Sequence, residues 1–154
     1  MRIIVTLFIL LLSVSACKKG GSAAEDVDPR EQYLGTYDID YTSKTSVTPG
    51  WPTYSEDSGK GSLTFAKGDA ANELRMTVEF PGFSTETDIV KLSGSQFTMS
   101  KNRGSILFGN KKYDGEFVGT GLFEGKNVTL TTVTKVSQDG SLLQWTQSYK
   151  GLKR

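Results

Sequence analysis

Turn dipeptides recur along this chain at intervals too short for most helices. Pro49-Gly50, Ser58-Gly59, Lys67-Gly68, Pro81-Gly82, Ser93-Gly94, Gly109-Asn110, Gly125-Lys126 and Asp139-Gly140 punctuate it from Tyr33 onward. Between them, apolar and polar residues alternate. A period of two puts apolar side chains on one face of a strand, and Gly, Pro, Asn and Asp permit the tight turns between strands. No helical apolar period lasts beyond about two turns. The pattern predicts an all-β, antiparallel, up-and-down meander of eight or nine strands. A meander of that size closes into a barrel; the alternative is a β-sandwich.

The C-terminal third permits an internal test. Asp139-Gly140 as a type I′ turn sets Val136 opposite Leu143, Thr134 opposite Trp145, Thr132 opposite Gln147 and Leu130 opposite Tyr149. Gly125-Lys126 as a type II′ turn sets Phe123 opposite Val128, Gly121 opposite Leu130, Gly119 opposite Thr132 and Phe117 opposite Thr134. The turns are assigned independently, yet both turn the same face of the middle strand inward. A slip of one residue would invert every face. Glu116 then opposes Lys135, a favourable cross-strand pair.

Upstream, Leu63 and Phe65 alternate with polar neighbours, as do Leu74, Met76, Val78 and Phe80. Ile106 and Phe108 share the parity of Tyr113. The run Thr85, Thr87, Ile89 changes face before Val90 and Leu92, which predicts a bulge near Asp88–Val90. The stretch 43–59 reads as one long loop carrying Trp51 and Tyr54, and long loops are often binding loops or lids.

Composition narrows the chemistry. The chain carries 18 basic and 17 acidic residues, so no basic field attracts nucleic acid. It has no histidine, the usual general base and commonest metal ligand. Its one cysteine, Cys17, allows no intrachain disulfide or thiolate cluster. No nucleophile elbow, P-loop or dinucleotide fingerprint occurs. The expectation is a non-enzyme without metal or cofactor.

The first residues read as a leader. Met1-Arg2 is a short positive start, Ile3–Leu12 is nearly all aliphatic, and Ser13–Ala16 are mostly small. As a helix, Ile3–Ala16 would reach only about 21 Å, short of the roughly 30 Å hydrocarbon core. Val14-Ser15-Ala16-Cys17 resembles the lipobox of bacterial lipoproteins. The resemblance implies lipid attachment at Cys17, cleavage after Ala16 and acylation of the new amino group. Several acyl chains would make attachment effectively permanent. Residues 1–16 are then a lipoprotein signal peptide and 17–32 the lipidated cysteine with a flexible tether. Residues 33–154 are the β domain. Lys18, where inner-membrane retention resembles an Asp signal, points to the outer membrane of a bacterial envelope.

Gly35-x-Tyr37 is similar to the Gly-x-Trp that opens the first strand of lipocalins. The text from Leu34 to Arg154 resembles small lipocalin-like bacterial lipoproteins of uncharacterised function. This implies a barrel that binds a small apolar or amphiphilic ligand. The alternative is an envelope protein-interaction module (inhibitor, adhesin or accessory subunit) with a filled core.

For a ligand, the candidate wall is Tyr37, Phe117, Gly119, Gly121, Trp145, Gln147 and Tyr149. The inward glycines leave space unless neighbouring bulk fills it or they serve barrel coiling. Gln147 and Thr132 would need polar partners inside. Trp51 and Tyr54 are candidate loop contacts, unless they fold back over the mouth. Asp38, Asp40, Glu56 and Asp57 read as solvated surface.

Overall fold

The computed structural model describes residues 27–83 and 85–154. The leader, Cys17 and most of the expected tether lie outside the described residues. Eight strands follow one another: β1 (Gly35–Thr48), β2 (Trp51–Lys67), β3 (Glu73–Glu79), β4 (Glu86–Ser93), β5 (Gln96–Phe108), β6 (Lys111–Glu124), β7 (Asn127–Gln138) and β8 (Ser141–Lys153). Each pairs antiparallel with the next, and β8 returns to β1 to close a barrel. This is the expected meander, compatible with a lipocalin-like fold, and not a sandwich.

The two C-terminal hairpins keep the predicted register. Val136↔Leu143, Thr132↔Gln147 and Leu130↔Tyr149 pair in one, and Phe123↔Val128, Gly119↔Thr132 and Glu116↔Lys135 in the other. Asp139 and Gly140 both have positive φ, +50° and +76°, as a type I′ turn demands.

Three upstream expectations are corrected. Ser58-Gly59 is not a turn: β2 runs straight through it, with Gly59 opposite Tyr41. A Cβ on Gly59 would lie 2.7 Å from the Tyr41 ring, so the glycine makes room for that side chain. The stretch 43–59 is not a loop either, but the two arms of a long hairpin turning at Pro49-Gly50. Finally, β4 pairs with β3 without a register shift, so no bulge falls at Asp88–Val90. Ile89 is 46% exposed, while Asp88 and Val90 face inward. The bulge lies one strand later, between Lys101 and Gly104 of β5.

One end of the barrel is filled. Tyr37, Phe65, Phe97 and Phe123 interlock there, with Phe65 to Phe123 ring centroids 4.9 Å apart in an edge-on contact. A short 3-10 turn, Glu31–Tyr33, lays Tyr33 on Phe123 at 4.4 Å, and the Tyr37 hydroxyl donates to the Tyr33 carbonyl at 3.0 Å. Arg30 fixes this cap to the β2–β3 turn by donating to the carbonyls of Gly68, Ala70 and Glu73. The last residues of the expected tether are thus docked on the barrel. A second, smaller apolar group (Ile106, Val136 and Leu143 with Val47, Phe108 and Trp145) sits towards the other end.

Candidate functional site

Strand length shapes the site. β3 and β4 have 7 and 8 residues, whereas the other strands have 12 to 17. The β3–β4 hairpin therefore forms a low stretch of wall between two taller arms. The β4–β5 ladder has only three pairs, from Lys91↔Thr98 to Ser93↔Gln96. Above them the two backbones part. Tyr54 of β2 meets Phe108 of β5, ring centroids 4.4 Å apart, and joins the arms above the gap. What remains is a side window over the β3–β4 turn, where Phe83 is 73% exposed.

Behind the window, between the two apolar groups, is a cavity of about 450 Å³. Its size falls within the range of about 300–1,000 Å³ common for small-molecule sites. The rings of Tyr41, Phe80 and Tyr149 form one aromatic group: Tyr41 to Phe80 is 4.7 Å, and Phe80 stacks on Tyr149 at 6.3 Å. Phe117 and Trp145 line the wall as well.

Charge also faces the cavity. Asp57, Glu86, Asp88 and Lys101 all reach its wall. Lys101 Nζ lies 2.7 Å from Asp88 Oδ1 and 5.4 Å from the centre of the Phe117 ring, so it is held by an ion pair and a cation–π contact. The Tyr41 hydroxyl donates to Asp57 Oδ2 at 3.3 Å. Burial pushes the Tyr149 phenol up to about 12, with the Glu86 and Tyr41 charges adding to the rise against hydrogen bonds from Thr132 and Gln147. It is a neutral hydrogen-bonding group across the ordinary pH range. Thr132 and Gln147 satisfy one another, the Thr132 hydroxyl donating to Gln147 Oε1 at 3.4 Å.

The structure divides the candidate wall residues. Phe117, Trp145, Gln147 and Tyr149 line the cavity, while Tyr37 belongs to the filled end. Gly119 and Gly121 leave no space: a Cβ on Gly119 would run into Met99 Cγ, and one on Gly121 into the Phe97 ring. These two glycines admit core side chains. Of the two loop candidates, Tyr54 folds over the mouth, and Trp51 occupies the first position of β2. Cys17 lies outside the described residues.

Glu86, Asp88 and Lys101 escaped the sequence reading, and Asp57, read as solvated surface, reaches the cavity wall, because an inward charge has the same parity signal as an outward one. Stepping back by twos from Val90 and Leu92 reaches Asp88 and Glu86, and would have found both. Comparison of the sequence with protein-family models and with curated proteins finds no match. Among the described residues, no group of three or more acidic, cysteine or histidine side chains could hold a metal ion. No described helix is long and apolar enough to cross a membrane, which says nothing of other routes to one.

Proposed function

We propose that this chain is a lipid-anchored bacterial envelope protein whose barrel binds a small amphiphilic molecule without transforming it. The cavity carries the reading: about 450 Å³ of space, walled by aromatic rings and charged side chains and reached through a side window. Rings supply apolar contact area, and a few convergent polar groups orient a ligand. The charges favour an amphiphile over a purely apolar guest, since burying four charged groups against hydrocarbon carries a desolvation cost. Absence of histidine supports binding without turnover. The lipobox resemblance at Cys17 supports anchoring, with the outer membrane as its place.

Mass spectrometry of small molecules released on denaturing the purified chain tests the ligand reading. A stoichiometric amphiphile is expected. An empty barrel that also takes up no compound from an amphiphile panel would refute it. Anchoring is tested separately with Cys17→Ala and radioactive palmitate: label and membrane fractionation should both be lost. Unchanged labelling would refute lipidation at Cys17.

A second reading, an interaction module that accepts a partner strand, draws on the open edges of β2 and β5 beside the window. Both edges are blunted. β5 carries its bulge there, and β2 carries Glu56, Asp57 and Lys60, features that discourage strand addition. The cavity is therefore the stronger site.

A further inference from the structure

We propose that the cavity selects an organic cation, a molecule with a protonated amine on an apolar body. The inference rests on the binding reading above and narrows its ligand class.

The argument starts from charge balance. Of the four charged side chains that the described residues bring to the wall, Lys101 and Asp88 already neutralise one another at 2.7 Å. Asp57 and Glu86 remain as the net charge of the cavity among the described residues. Among the described residues, Asp57 receives a neutral hydroxyl, from Tyr41. Glu86 lines the same cavity from β4, across the barrel from Tyr149 of β8. An entering anion meets two carboxylates of its own sign; an entering ammonium meets two acceptors.

The rings favour the same sign. Aromatic faces are electron-rich and attract cations, most strongly where water is excluded. Tyr41, Phe80 and Tyr149 present such a group on the wall of the same cavity, with Tyr41 bridging to Asp57 through its hydroxyl. Met76, Val78 and Phe117 offer apolar wall for the body of the ligand. Among the described residues, no three acidic groups gather as metal ligands would.

The test uses three probes of one shape and different charge: phenylbutylamine, phenylbutanol and phenylbutyrate. Binding to the full chain is measured by calorimetry in phosphatidylcholine nanodiscs, with empty nanodiscs as reference. The amine is expected to bind about tenfold tighter than the alcohol, the scale of one charge-assisted hydrogen bond, and the butyrate most weakly. Combining Glu86→Gln with Asp57→Asn should bring the affinity for the amine down to that for the alcohol, with circular dichroism and the unfolding midpoint reporting that the barrel is folded. Equal affinity for amine and alcohol, or a preference for the butyrate, overturns cation selection and leaves the binding barrel standing. An amine preference that survives the paired substitution overturns the assignment to these carboxylates. Failure of all three probes to bind overturns this inference and counts against the binding reading beneath it.

Discussion

Lys101 and Asp88 join two strands whose backbones have already parted. Their 2.7 Å contact lies above the last β4–β5 pair and spans the gap that forms the window. Asp88 is 15% exposed and Lys101 39%, so solvent screens the pair in part. Replacing Lys101 with Met is expected to cost less than about 1 kcal/mol globally. Hydrogen exchange should quicken in residues 86–90 far more than in β7 or β8. Uniform quickening across the barrel would show that the pair does not act locally on the window.

The filled end should dominate stability. Phe123 contacts Tyr33, Tyr37, Phe65 and Phe97, and it is 3% exposed. Phe123→Ala removes that junction and should cost about 3–5 kcal/mol in denaturant unfolding. Gly121→Ala drives a methyl group into the Phe97 ring and should cost about 1–3 kcal/mol or more. A substitution of Gly121 that left the unfolding midpoint unchanged would contradict the close approach of Phe97.

Alkaline conditions should expose the buried phenol. Tyr149 ionises near 10 when unfolded and near 12 when folded, chiefly because burial disfavours the phenolate. The folded state therefore holds its proton more tightly. Stability from this group is fully present below pH 10 and is lost as pH rises through 12. The shift amounts to roughly 2–3 kcal/mol at its full extent. Tyr149→Phe should flatten the unfolding free energy between these limits. An unchanged slope would mean that another group sets the alkaline limb.

Acid should loosen the cap. Hydrogen bonds from the Arg30 side chain and backbone hold the Asp28 carboxyl well below the usual carboxylate range, opposed by desolvation and aided by Lys67. A lowered carboxyl pKa stabilises the fold above the unfolded value of about 4, and the contribution is lost as pH falls below it. Arg30→Gln should lower the melting temperature at neutral pH and reduce its dependence on pH below about 4. Parallel melting curves for both proteins across that acid range would refute the coupling.

Where a turn pinned the register, the sequence was legible. Two turn dipeptides flank β7, each specifies the partner of every residue, and the two agree. The inward face from Phe117 to Tyr149 follows from them. Legibility fails where the barrel stops being apolar inside. Along residues 43–59 the inward positions include Ser43 and Asp57, so alternation vanishes and the strands resemble a loop. In β4, Asp88 and Glu86 point inward, and Ile89 outward looked like a change of face. The bulge belongs to β5, where Lys101 turns in before the shift and Gly104 after it. The parts hidden from pattern reading build the charged side of the cavity, whereas its Phe117, Trp145 and Tyr149 side was legible.

The places where Val27 and Arg154 leave the barrel have a practical meaning. Lys153 donates to the Gln32 carbonyl and the Arg154 backbone N–H to that of Thr36, so β8 finishes beside the turn that caps the filled end. Val27 and Arg154 consequently leave the barrel from the same pole, opposite the Tyr54–Phe108 bridge. A sensor surface, a resin or a reporter domain fused at Arg154 would hold the molecule by its stopper and leave the window facing the solution. Immobilised forms should thus present one orientation to whatever they meet.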